Sequence, residues 1–409
     1  MGLPISAANG RLPADWTLAA FDKQPRTRLI FGRGTVGRVG ELARELGGRR
    51  VLLVTDPGLV RAGHAGRVQD LCAKAGLDVA VFDRVRENPT TADVDACLAA
   101  ARAHAADLIV GLGGGSSMDT AKGTNFLLTN GGRMKDYWGV GKAAKPMLPL
   151  IAIPTTAGTG SECQSAALIA DEATHQKMAC LDPKAAARVA ILDADLTESQ
   201  PRRVTACTGI DAVAHAVETA VTTKRNAVSV MYSHEAFKLL VASLPRVLAD
   251  PQDHDARGRM LLGAAFAGTA IENSMLGAAH SAANPLTAHF NVVHGEAVGV
   301  MLPHVVRFNA ADPEVRRAYA ELASAPEIAC VSEGLDAAVD ALVARLDDLL
   351  DLAGMARSLG DRGVQAGDLP MLADEAARQW TANFNPRPVA APDFAALYGA
   401  ALRPRGSGR

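Results

Sequence analysis

The feature that most limits how this chain can fold is a change of hydrophobic period part-way along it. From TRLIF (Thr27–Phe31) onward, short runs rich in Val, Ile and Leu (RVLLVTD, LDVAVFD, ADLIVGLGGG, PLIAIPTT, RVAILDADL) alternate with helical stretches such as VGRVGELARELG, GHAGRVQDLCAKAG, TTADVDACLAAARAHA and MDTAKGTNFLLTN. Buried strands alternating with helices of this length predict βαβ units and a mostly parallel, Rossmann-like sheet. SAALIADEATHQKMACLD reads as a hairpin set into that series. After about Thr197 strand signals almost vanish, and helical periodicity runs to the end, broken by PLTAHFNVV and the linker-like PRPVAAP. The expected architecture is an α/β domain over 1–196 and an all-helical domain over 197–409. A chain of 409 residues is long enough for two cores. Residues up to about Lys23 read as a poorly ordered arm.

Composition removes several function classes. Apolar residues at 48% and charged residues at 21% describe a globular chain. A net charge of −2, with no basic cluster, argues against nucleic acid. No apolar run reaches membrane-spanning length, and the N-terminus shows no charged-then-apolar leader. The cysteines Cys72, Cys97, Cys163, Cys180, Cys207 and Cys330 have no CxxC spacing, which fits free thiols and a cytoplasmic setting.

Four side chains in the second half stand out. Asp211 and His215 (GIDAVAHAVE) are spaced i, i+4, so a helix puts both on one face. His280 closes the long helix-like run MLLGAAFAGTAIENSMLGAAH, and His294 follows after a short turn. A DxxxH pair alone is common on solvated helices. Two further histidines in small-residue contexts make a ligand set of one carboxylate and three imidazoles, suited to Zn2+ or Fe2+. The other histidines have no comparable partners.

Two glycine loops compete for a pyrophosphate. GRGTVG (Gly32–Gly37) satisfies G-x-G-x-x-G between strand and helix, with the acid Asp56 at the end of the next strand. GLGGGSSMDTAK (Gly111–Lys122) also joins strand to helix, and its glycines let a phosphate approach the helix's first N–H groups. The residues alone leave the choice open. Under either choice Asp56 can accept from ribose hydroxyls and repel the extra phosphate of NADP, so NAD is expected.

GGGSSMDTAK, PTTAGTGSE, DAVAHAVE, LGAAHSAANPL and HGEAVGVMLPHVVRFN together resemble the signatures of the iron-dependent (group III) alcohol dehydrogenases, over nearly the whole chain. The resemblance implies the dehydroquinate synthase-like fold of that family, with a metal between an α/β dinucleotide domain and a helical domain. It puts the pyrophosphate on Gly114, Gly115 and Ser116, with Asp119 and Lys122 in the same signature, and leaves GRGTVG as a structural turn. It puts Thr155, Thr156 and Thr159 at the nicotinamide half, Lys177 on the cofactor side and Asn88 near the adenosine. It makes Asp211, His215, His280 and His294 ligands of Fe2+.

The activity so implied is NAD-dependent interconversion of small alcohols or diols with aldehydes, in a protein that resembles homodimeric relatives. Ile271, Thr381, Trp138 and Phe384 match pocket-wall positions. Many relatives read HxxxH at the third ligand; here the text is HSAAN, which puts Asn284 where a titrating histidine is usual. Asparagine can orient a substrate but cannot pass protons. Two rivals were weighed: a metal- and NAD-dependent lyase of the dehydroquinate synthase type, and a non-catalytic nucleotide- or metal-binding protein. The first needs several lysines and arginines around its site, absent from the stretch between DAVAHAVE and VVHGEAVG.

Overall fold

A computed structural model describes residues 21, 23–174, 176–356 and 358–403; the N-terminal arm and His175 lie outside them. The strands are β1 (Arg28–Phe31), β2 (Arg50–Val54), β3 (Asp78–Phe82), β4 (Leu108–Gly113), β5 (Gly139–Val140), β6 (Leu150–Pro154), β7 (Ala166–Ala170), β8 (Lys177–Leu181) and β9 (Val189–Leu192). Between them run α1 (Val39–Glu45), α2 (Pro57–Arg61), α3 (His64–Lys74), α4 (Thr91–Ala103) and α5 (Gly115–Asn130). Six strands form a sheet in the order β1-β9-β6-β4-β2-β3, every pair parallel. β2, β4 and β6 are almost wholly buried, as strands covered on both faces must be. The predicted hairpin is β7 and β8, which pair antiparallel in a small second sheet with β5.

The sheet order fixes where a ligand fits. From β2 the chain steps outward to β3, then returns to β4 on the other side of β2. In open α/β sheets such a reversal leaves a crevice beyond the carboxyl ends of the two strands. Asp56 follows β2 and Gly114 follows β4, so both face that crevice.

After the last strand the described chain is helical: α6 (Arg202–Thr219), α7 (Ala227–Ala249), α8 (His254–Glu272), α9 (Ala278–Phe290), α10 (His294–Asn309), α11 (Pro313–Ser324), α12 (Leu335–Leu352), α13 (Leu369–Ala377) and α14 (Ala391–Ala401). Their shared core holds many alanines beside Leu240, Leu244, Leu302, Leu346, Phe237 and Phe394. Small side chains let α6 and α10 approach closely, which the metal centre requires.

Two expectations are corrected here. The run that ends in His280 is two helices: α8 stops at Glu272, and α9 starts at Ala278 after Asn273–Gly277. Asn, Ser and Gly favour local turns over a continued helix. PLTAHFNVV does not break the helix at its proline. α9 runs through Pro285 to Phe290 and ends on Asn291, whose φ of 52° is left-handed.

The two halves meet without a gap. At Gly268 of α8 an added Cβ would lie 2.2 Å from the Gly160 carbonyl, so two backbones touch there. Ser165 donates to Glu272 from both its N–H, at 2.9 Å, and its hydroxyl. Arg26 pairs with the same carboxylate.

Candidate metal centre and cofactor cleft

α6 places Asp211 and His215 on one face, with Asp211 Oδ1 3.5 Å from His215 Nε2. α9 enters with His280 in its first turn, and α10 begins at His294. Their Nε2 atoms lie 3.4 Å and 3.8 Å from the same Asp211 oxygen. One ligand atom each from Asp211, His280 and His294 falls within 4.8 Å of the others. The His215 and His280 rings stack at 4.8 Å. Asp211, His215 and His280 are each about 5% exposed.

The donor chemistry fits a divalent cation of the Zn2+ or Fe2+ type. Asp211 Oδ1 and His280 Nε2 are buried and make no good hydrogen bond, a costly arrangement unless something shared satisfies them.

Electrostatics prepare the set. Burial alone would push the Asp211 carboxyl up, but the three imidazoles, His215 foremost, outweigh it and hold it well below the usual carboxylate range. Burial pushes His294 down to about 3 against the pull of Asp211, and lowers His215 too. Both rings therefore keep a free lone pair at neutral pH. His280 moves the other way: burial opposes its charge, but Glu218 and Asp211 on either side lift it to about 9.

Glu218 went unread in the sequence, although it ends the quoted DAVAHAVE. Its Oε2 accepts from His280 Nδ1 at 2.5 Å, and its Oε1 accepts from the Ala279 N–H at 2.7 Å. One carboxylate thus orients the ring and caps α9. The available signal was position: Asp211, His215 and Glu218 repeat on one helical stripe that is otherwise alanine and valine. Glu218→Gln is expected to weaken metal affinity by roughly 10- to 100-fold with the fold retained. Metal titration of the purified variant checks this, and unchanged affinity would remove Glu218 from the centre.

The cofactor loops meet at the ends of β4 and β6, where Gly113 pairs with Pro154. α5 starts with Gly114 as its cap residue and no side-chain cap, so its first N–H groups face the crevice. A Cβ on Gly114 would sit 3.3 Å from Thr156 Oγ1, and one on Gly115 2.9 Å from Thr159 Cγ2. The glycine loop therefore lies against the threonine loop, with Ser116 beside it. Thr155 N donates to the Gly113 carbonyl at 3.0 Å.

Buried Lys122 ties the two loops from below. Its Nζ donates to Ser161 O at 2.6 Å, Ser161 Oγ at 2.9 Å and Ala166 O at 3.0 Å. The Ser161 hydroxyl passes the link to Asp119 at 3.2 Å. Burial raises the Asp119 carboxyl to about 6, opposed by Lys122 and Lys177. Lys177, exposed at the start of β8, also acts electrostatically on His294, so it lies between the cofactor loops and the metal centre.

Among the other candidates, Asp56 is the cap residue of α2, and one oxygen accepts from Gly58 N and Leu59 N at 2.8 and 3.1 Å. Its second oxygen is left for another donor. Asn88 is exposed, with a left-handed φ of 52°, in the loop before α4. No hydrogen bond ties its side chain to the others. Thr381 is bound to Ser281 at 2.7 Å, Ile271 is buried at the end of α8, and Trp138 is 42% exposed. Phe384 stacks edge-on with Trp380.

GRGTVG holds an anion that the chain itself supplies. Gly34 N and Val36 N each donate at 3.0 Å to the two oxygens of buried Asp193. The loop that fits the dinucleotide pattern best is already filled.

The helix-bound centre and the glycine cleft are joined by one segment. Gly158, next to Thr159, packs against Thr208 of α6, one turn before Asp211.

Family comparisons match the same two halves. Residues 25–194 match the iron-containing alcohol dehydrogenase model, and residues 205–402 match the C-terminal model of the Fe-containing alcohol dehydrogenase family. The NAD-dependent methanol dehydrogenase of Bacillus methanolicus is 34% identical over 373 residues, covering 91% of this chain and 97% of that one. The lactaldehyde reductase of Escherichia coli K12 is 34% identical over 372 residues, covering 90% and 96%. The crystal structure of a 1,3-propanediol oxidoreductase superposes with a TM-score of 0.90 at 32% identity, covering 94% of this chain and all of that one. The chain belongs to the iron-containing alcohol dehydrogenase family.

Proposed function

We propose that this protein interconverts small alcohols or diols with aldehydes, by hydride transfer with NAD(H), at a metal centre held by Asp211, His215, His280 and His294. One observation carries the reading: one carboxylate oxygen and three imidazole nitrogens converge beside the loop that packs on the glycine cradle. When bound, the cation supplies Lewis acidity at the substrate oxygen and the nicotinamide supplies the hydride chemistry. The chain supplies binding and orientation. Gly114, Gly115 and Ser116 would receive the pyrophosphate at the start of α5, with Asp119 and Lys122 bracing that loop. Thr155, Thr156 and Thr159 would line the nicotinamide side, Lys177 would add positive charge to the same cleft, and Asn88 would face the adenosine. Asn284 would orient substrate. It replaces a titratable group with one that has no proton to give at neutral pH, so protons must travel by water or ribose hydroxyls.

Fe2+ is the cation implied by the family, and the same ligands suit Zn2+. The lyase alternative is not favoured, since the only lysine or arginine described as acting on the metal centre is Lys177. We also divide the two functional lobes at Leu196. A homodimer through the N-terminal region is part of this reading, supported by the edge position of β1 and the exposure of its Leu29 and Phe31. A cytoplasmic location is supported by free cysteines, five of which are buried. Among the described residues no helix is long and apolar enough to cross a membrane.

Purified protein loaded with Fe2+ or Zn2+ and given NAD+ with a panel of short alcohols should produce NADH. A metal-loaded, folded sample that turns over none of them overturns the proposal. The free oxygen of Asp56 predicts the cofactor form: kcat/KM with NAD+ should exceed that with NADP+ by about tenfold or more, since a 2′-phosphate would meet a like charge. Asp56→Ala should shrink that ratio, and an NADP preference in the unaltered protein would take Asp56 out of the site.

A further inference from the structure

We infer that Gln379 is a positioning residue that fixes the Asn284 amide, and that the pair selects substrates with a second hydroxyl: 1,2- and 1,3-diols and the matching hydroxyaldehydes. The inference rests on the alcohol dehydrogenase reading above and narrows its substrate class.

Asn284 sits one helical turn after His280 on α9, so the two side chains share a face with Cβ atoms about 5–6 Å apart. That end of α9 is fastened to the segment 379–385 by three contacts. Asn284 Nδ2 donates to Gln379 Oε1 at 3.0 Å, the Ser281 and Thr381 hydroxyls meet at 2.7 Å, and Ala278 N donates to Asn385 Oδ1 at 3.2 Å. Gln379 turns its own Nε2 toward the Glu375 carbonyl at 3.5 Å, which leaves its oxygen facing Asn284. The polarity of both amides follows: Asn284 must present its nitrogen to Gln379 and its oxygen elsewhere.

That oxygen accepts nothing from any described residue, and Asn284 is only half-buried. An acceptor one turn from a metal ligand calls for a donor on the bound molecule. A hydroxyl one or two carbons beyond the reacting alcohol spans that distance. A mono-alcohol offers nothing there, and an aldehyde carbonyl alone cannot donate. Because neither amide titrates near neutrality, the preference is independent of pH, unlike one set by a histidine at this place.

The test compares 1,2-propanediol with 1-propanol in the metal-loaded enzyme. The unaltered protein should favour the diol in kcat/KM by roughly tenfold or more. Gln379→Ala frees the Asn284 amide to rotate and should cut that ratio several-fold, with the loss in KM for the diol rather than in kcat. Gln379→Glu still accepts from Asn284 Nδ2 and should keep most of the preference. Asn284→Leu, which removes the acceptor, should abolish it. A binding readout runs in parallel: the Kd of 1,2-propanediol for the enzyme–NADH complex, followed by NADH fluorescence, should rise in Gln379→Ala and Asn284→Leu. Turnover of 1-propanol with no diol preference, or equal losses on both substrates in Gln379→Ala, overturns this inference and leaves the proposed function standing. Absence of turnover on either alcohol brings down both.

Discussion

Asp211→Asn should leave a folded protein that neither holds its metal nor turns over alcohol, with kcat/KM down by at least about a thousandfold. The substitution is nearly isosteric, so the packing of α6 is preserved and the loss is electrostatic. Asp211 is the single anion among the four ligands, and its Oδ1 is the atom on which all three imidazole nitrogens converge. An amide oxygen there carries no net charge to balance a divalent cation in a buried site. The change also removes one of the two carboxylates that lift His280, leaving Glu218 to hold that ring alone. Metal content, circular dichroism and single-turnover kinetics on the same preparation separate the effects. A variant that retains stoichiometric metal and near-normal kcat/KM would mean that the converging atoms are a buried polar cluster and not a catalytic centre.

The period change near residue 196 made the architecture readable, because strands buried on both faces and helices buried on one leave different patterns. Sheet order, and with it the crevice between β2 and β4, was not readable. It depends on which strands pair across long separations, as β1 does with β9. Local pattern also misjudged the approach to His280. Alanine-rich text reads as continuous helix, yet α9 starts afresh at Ala278, where Glu218 and Asn385 cap its N–H groups from distant parts of the chain. Periodicity carries no trace of a cap supplied by another helix.

The site divides in the same way. The four ligands were legible because one stretch holds them in distinctive contexts. Glu218 and Gln379 were not, because each acts through another side chain and neither type is unusual where it stands. The glycine loops show the limit most clearly. GRGTVG matches a dinucleotide pattern, but its amides are spent on Asp193, more than 150 residues away in sequence. A pattern reports that backbone N–H groups are available and says nothing about which anion takes them.

The tightest constraint near the centre is a hydrogen atom. Gly295 lies between the ligand His294 and buried Glu296 in the first turn of α10, and a Cβ added there would fall 2.0 Å from the carbonyl oxygen of Cys207 on α6. The obstacle is backbone, so no side chain can swing aside. Gly295→Ala must push α10 away from α6, and these two helices carry His294 on one side and Asp211 with His215 on the other. In an ordinary exposed helix the same change would be stabilising, since alanine favours helix more than glycine by roughly 1 kcal/mol. Here overpacking should reverse the sign and cost about 3 kcal/mol. Even a partial relaxation of about 1 Å at His294 exceeds what a metal site tolerates. The expected result is a lowered Tm together with metal affinity reduced far more than the stability loss alone explains. Gly367→Ala is the control, as nothing lies within 4 Å of a Cβ at that position. If Gly295→Ala kept wild-type metal affinity and Tm, the close approach of α6 and α10 would not be what sets the ligand geometry.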